Sequence, residues 1–140
     1  MHGATPAPHL FIGLANGILT RVAMDAVTGL LTDPRSRFLG VRPVKLAPVA
    51  VGGGTGVLAM STRPWLCFNH GGKYHCAPVS YDTLEAAAPF ASGGLADGVV
   101  GVSGASMRVF ALERLGETFN QKVLPLRCMP RRMAVHPHVR

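Results

Sequence analysis

Between Arg42 and Tyr81 four short apolar runs are set apart by Gly, Pro, Asn and Ser. They are the Val44–Val49 region, Val57-Leu58-Ala59-Met60, Trp65-Leu66-Cys67-Phe68 and the segment from Lys73 to Val79. Such punctuation predicts a four-stranded antiparallel sheet. The second run constrains the fold most, because every residue from Val57 to Met60 is apolar. A strand with water on one face alternates apolar with polar residues, and this one does not. Both of its faces are therefore expected to be covered, as in a blade stacked between two others in a β-propeller.

The unit recurs. Val57-Leu58-Ala59-Met60-Ser61 lies over Val99-Val100-Gly101-Val102-Ser103, forty-two positions on, and the same shift sets Leu66-Cys67-Phe68 over Arg108-Val109-Phe110. Phe11-Ile12-Gly13-Leu14 precedes the first run by forty-six positions. Pro43–Ala47 lies over Pro130–Ala134 at about twice the single spacing. Four strands per period of about 40 to 45 residues is the signature of propeller blades.

Along the rest of the chain, residues 1–8 are expected to be a disordered lead-in. Leu10–Leu14 and Ile18–Met24 flank Asn16-Gly17, a strong hairpin cue because both residues tolerate positive φ. Asp25–Asp33 is expected to be a turn and short loop, and Arg37–Leu39 the outer strand of this first, incomplete blade. Residues 82–91 are ambiguous. Asp82 as a cap and three alanines favour a short helix, whereas the blade register requires a strand and is preferred. Val99–Ser103 and Met107–Leu112 form the next hairpin, followed by strands over 119–127 and 131–135. The expected fold is all-β, an incomplete propeller of about three blades. Residues 9–118 would supply blades, and 119–140 strands leading into a further propeller. Three blades cannot close a ring, since propellers have typically about four to eight.

Composition bears on partners. Fourteen Lys and Arg against seven acids give a formal charge of +7, which favours nucleic acid or an acidic protein surface. A solvated basic surface is the plain alternative. Arg35, Arg37, Arg63, Lys73, Arg131 and Arg132 are the candidate partner or nucleic-acid contacts, although no aromatic stacking platform is interleaved with them. Apolar residues at 48% suffice for a core, and 17 Gly with 11 Pro favour turns over long helices. No apolar run approaches the roughly 20 residues of a membrane-spanning helix. The first nine residues lack the charged and apolar regions of a secretory signal. Three cysteines without framework spacing suggest reduced thiols in a cytosolic or nuclear setting.

Chemical motifs fail on geometry. Cys67, His70, His75 and Cys76 resemble a zinc knuckle, but tetrahedral zinc needs four converging ligands. On a strand, His75 and Cys76 point to opposite faces, which leaves two buried thiols and two surface histidines. Gly101-Val102-Ser103-Gly104-Ala105 echoes a nucleophile elbow, yet a strand rather than the required helix is expected after it. Glycines 52, 53, 54 and 56 lack the Gly-Lys-Ser/Thr ending of a phosphate loop and suit a hairpin loop. Trp65 is expected in the core. No catalytic, metal or cofactor site is predicted.

Ile12-Gly13-Leu14 with Asn16-Gly17, Val27-Thr28-Gly29, Arg42–Leu46, Val57–Ser61, Trp65-Leu66, Ser80-Tyr81, Thr83-Leu84-Glu85 and Phe90-Ala91-Ser92 also form a collinear pattern. It continues through Ala111-Leu112-Glu113, Phe119-Asn120-Gln121, Pro130-Arg131 and His136-Pro137. Over residues 10–137 this resembles the splicing factor 3b, subunit 3 family. Its relatives include the large damaged-DNA-binding subunit and the largest cleavage and polyadenylation factor subunit. The chain departs from the pattern at 52–56, His70–Gly72 and Gly93–Asp97, all expected loops. The resemblance implies an internal fragment of a much longer triple-propeller chain, at the end of its second propeller. It implies a non-catalytic nuclear scaffold in the particle that recognises the intron branch site during pre-mRNA splicing. Its partners would be other splicing factor 3b subunits, chiefly the large helical-repeat subunit, with RNA touched at most indirectly. No cofactor, membrane or small-molecule substrate is implied. The alternative is direct RNA or damaged-DNA binding through the basic clusters.

Overall fold

The computed structural model describes residues 7–112, which form ten strands and no helix. They are β1 (His9–Gly13), β2 (Ile18–Met24), β3 (Leu31–Phe38), β4 (Lys45–Val51), β5 (Gly54–Met60), β6 (Pro64–His70), β7 (Lys73–Pro78), β8 (Ala86–Ser92), β9 (Leu95–Ser103) and β10 (Ser106–Ala111). Three antiparallel sheets result, ordered β1-β2-β3, β4-β5-β6-β7 and β10-β9-β8. The inferred repeat superposes like on like. β5 and β6 match β9 and β10 one period later, and β1 and β2 one period earlier. Among the described residues, the first sheet thus lacks the counterpart of β4 and the third that of β7.

The middle sheet is covered on both faces, which is why Val57–Met60 does not alternate. Side chains on a strand point alternately to either side. Leu58 and Met60 of β5, Leu66 and Phe68 of β6, and Ala47, Val49 and Val51 of β4 pack toward the third sheet with Leu84 and Val99. Ala59, Cys67 and Val44 face the first sheet with Leu19 and Leu39. Leu58 and Ala59, adjacent in sequence and on opposite faces, are both fully inaccessible to solvent.

Local chemistry sets the turns. Asn16 Oδ1 accepts a hydrogen bond from the Ile18 amide, and the buried Gly17 has φ of 85°. A Cβ at Gly17 would collide with the carbonyl oxygen of Gly40. Asp25 Oδ1 accepts from the amides of Val27 and Thr28, each at 2.8 Å. Those bonds hold the Asp25 carboxyl below its ordinary range.

Four expectations need correction. Of Gly93–Asp97 only Gly93 and Gly94 form a loop, because Ser92 pairs with Leu95 and β9 begins there rather than at Val99. The outer strand of the first sheet runs Leu31–Phe38 rather than Arg37–Leu39, so the loop ends before Asp33. Asp33-Pro34 reads as a loop because proline cannot donate to a ladder. At the edge of a sheet that donor is not required. A register shift of β2 between Arg21 and Ala23, with Asp33 at φ of 49°, absorbs the irregularity. The glycine stretch 52–56 is only half a loop. Gly52 and Gly53 turn the chain, whereas Gly54, Thr55 and Gly56 pair with β4. Residues 82–91 do contain a strand, but it begins at Ala86. The strands expected over 119–127 and 131–135 lie outside the described residues.

Candidate functional site

The first and second sheets part at their outer strands to leave a cleft of about 430 Å³. Asp33, Arg35 and Arg37 alternate along β3 and so share the face that lines it. Arg21 of β2 stands directly opposite Arg35, and Leu19 opposite Arg37. The far wall is Tyr74 and Cys76 of β7, with Cys67 of β6 beside them.

Like charges directly opposite on neighbouring strands are destabilising, and this site answers them one arginine at a time. Arg35 Nε donates to Asp33 Oδ1 at 2.9 Å. Both side chains are well exposed, so the pair adds little stability. The Arg21 guanidinium lies over the Tyr74 ring, 4.3 Å from its centroid. Arg37 lies 4.9 Å from the centroid of Trp65 and donates Nη1 to the Cys76 carbonyl at 2.9 Å. Among the described residues that carbonyl belongs to an edge strand, so Arg37 satisfies an acceptor that the sheet's own ladder leaves open. Three guanidiniums against one carboxylate leave the cleft positive.

Cys67 and Cys76 face each other across β6 and β7 with their sulfurs 2.7 Å apart. The Cys76 thiol is lowered, first because the Cys67 S–H donates to its sulfur; partial burial opposes this, and the Arg37 and Arg21 charges assist. The same bond, with burial, pushes Cys67 far up. Cys76 is thus the more acidic of the two. Tyr74 is pushed up to about 12, mainly by burial.

Of the residues anticipated as contacts, the fold brings Arg35 and Arg37 together. Arg63, in the turn before β6, and Lys73, in the first position of β7, are exposed at opposite ends of β6 and do not line the cleft. Arg131 and Arg132 lie outside the described residues. Trp65 is half-buried beneath Arg37, its Nε1 buried without a hydrogen-bond partner among the described residues. Sequence reasoning missed Arg21 and Tyr74. The available signal was an arginine in the middle of Ile18–Met24, a run otherwise apolar except for Thr20.

His75 and Cys76 point to opposite faces of β7, as the strand period requires. His75 stacks on Phe68 at 5.4 Å and 23° on the side of the third sheet, while Cys76 points to the first. The alternation that separates His75 from Cys76 also delivers Cys76 to Cys67, a pairing that the zinc geometry alone did not bring out. Gly104, with φ of 58°, turns the chain into β10, so a strand and not a helix follows Ser103.

Against known proteins, residues 2–112 match the family described as the RSE1/DDB1/CPSF1 second beta-propeller. Spliceosome-associated protein 130 A of Arabidopsis thaliana is 51% identical over 137 residues, covering 96% of this chain and 11% of that protein. Splicing factor 3B subunit 3 of Danio rerio is 48% identical over 129 residues, 92% of this chain and 11% of that one. Pre-mRNA-splicing factor RSE1 of Pyricularia oryzae is 43% identical over 131 residues, again 92% and 11%. The chain therefore spans about a tenth of the length of these relatives.

Proposed function

Because this chain belongs to the RSE1/DDB1/CPSF1 β-propeller family, we propose that it is a non-catalytic scaffold segment of a nuclear pre-mRNA splicing factor. The observation that carries this reading is the identity of 43–51% to proteins named for splicing, sustained over more than nine-tenths of the chain. Stacked sheets hold loops and edges at fixed geometry, which suits docking rather than turnover. Its partners are other subunits of splicing factor 3b, chiefly the large helical-repeat subunit. Residues 9–118 supply blades and 119–140 lead toward a further propeller.

Within this reading, the cleft between the first and second sheets receives an acidic segment of a partner protein. The aromatic faces of Tyr74 and Trp65 are already occupied by Arg21 and Arg37. They are not free to stack on bases, which single-strand binding would use. The net positive charge supports the second reading, direct nucleic-acid binding.

Tagged full chain and an Arg35→Glu/Arg37→Glu variant, each incubated with nuclear extract, distinguish the two. The scaffold reading expects other splicing factor 3b subunits on the parent chain and a loss of tenfold or more on the variant. Retention of nucleic acid alone, falling steeply with salt, would establish the second reading instead.

A further inference from the structure

We propose that Cys67 and Cys76 form a reversible oxidation site that hydrogen peroxide converts to a disulfide between β6 and β7. Neither the family match nor the scaffold role assigns the pair any function. Position is the first ground. Gly71 and Gly72, with φ of 60° and 75°, make a two-residue turn closing on His70 and Lys73. Hydrogen-bonded and non-hydrogen-bonded pairs alternate from that closing pair, so Cys67–Cys76 is of the non-hydrogen-bonded kind, with the closer approach of side chains. Its Cα separation of about 4.5 Å falls within the range a disulfide bridges. The outward Cys76 carbonyl that Arg37 takes is what this parity requires. The sulfurs themselves are 2.7 Å apart.

Access is the second ground. Both cysteines line the cleft of about 430 Å³, room enough for a molecule the size of peroxide. Cys76 is half-exposed and Cys67 is buried. Arg37 and Arg21 favour the thiolate of Cys76, the form that attacks.

The chemistry balances in two steps. The Cys76 thiolate attacks one peroxide oxygen, the O–O bond breaks, and Cys76 sulfenic acid forms with release of hydroxide. Cys67 sulfur then attacks Cys76 sulfur, the S–O bond breaks, and the departing hydroxide takes the Cys67 proton to leave as water. Two electrons pass from the two sulfurs to peroxide. A dithiol reductant reverses the change.

The protein's own cleavage sites make the test direct. Trypsin cuts after Lys45, Lys73 and Arg108 but not at Arg63, which precedes Pro64, so Cys67 and Cys76 fall in separate peptides, Leu46–Lys73 and Tyr74–Arg108. Cys128 falls in a third, Cys128–Arg131. The full chain is treated with hydrogen peroxide, alkylated and digested without reductant. The expected product is the first two peptides joined and two hydrogens lighter than their sum, separating again on reduction. Cys76→Ser abolishes this product. Cys67→Ser leaves a Cys76 sulfenic acid that a carbon-nucleophile trap labels. Over-oxidation of Cys76 to the sulfinic acid with Cys67 still alkylatable, or a Cys76–Cys128 crosslink as the main product, would overturn the proposal. The parent chain is itself assayed, so its peptide map decides the matter even where a serine variant fails to fold. Loss of subunit binding would be a separate result, since this readout needs no partner.

Discussion

Tyr74 shows how one residue on β7 records its surroundings. Its ring is covered by Arg21 and neighboured by Phe11 at 5.5 Å. Burial keeps the phenol neutral to about pH 12, against about 10 for a tyrosine in the unfolded chain. The folded state therefore holds a proton that the unfolded state has lost between those values. The resulting stability is fully present below about pH 10 and declines as pH rises toward the folded value. Denaturant midpoints of the parent chain are expected to fall across that window, and Tyr74→Phe to fall less. Identical pH slopes would mean that the phenol is not shielded. Tyr74 and Arg21 were not readable as a pair, because they lie on strands of different sheets and meet only when the sheets stack.

At the scale of strands, β5 and β10 make a useful contrast. β5 is central, and Leu58 is 0% exposed between two sheets. Among the described residues β10 is an edge strand of an end sheet, and Met107 is 72% exposed. Leu58→Ala is expected to lower the free energy of unfolding by about 2–5 kcal/mol, the range for truncating a buried leucine. Met107→Ala should stay within about 0.5 kcal/mol. Equal effects in chemical denaturation would show that the middle sheet is not sandwiched. The placement of β5 followed from four consecutive apolar residues, a local signal. β3 did not announce itself, because Asp33-Pro34-Arg35 contradicts strand propensity. The same residues suit an edge, where proline and charge discourage a further strand from pairing.

At the scale of the molecule, the three sheets leave their two outermost faces apolar among the described residues. Leu10 and Ile12 on β1 are 43% and 38% exposed, and Met107 and Val109 on β10 are 72% and 49% exposed. Within each pair the residues are two apart and share one face, where a further blade would pack. The chain in isolation is expected to self-associate with rising concentration, by sedimentation velocity, and Met107→Lys/Val109→Lys to shift it toward monomer. A parent chain that stays monomeric throughout would mean those faces need no cover.

The sequence by itself determined the strand-rich class, the blade period, the Asn16-Gly17 turn and the double-sided burial of Val57–Met60. Each rests on neighbours in the chain or on a period that repeats along it. Arg35 and Arg37 share a strand face because β3 starts at Leu31, which the expected strand over Arg37–Leu39 did not include. Only the tertiary structure decided that this face meets Tyr74 and Cys76, that Arg63 and Lys73 are left apart from it, and that Cys67 lies against Cys76. Those outcomes depend on which sheet face turns toward which, a matter of packing between segments distant in sequence. No periodicity within either segment encodes it.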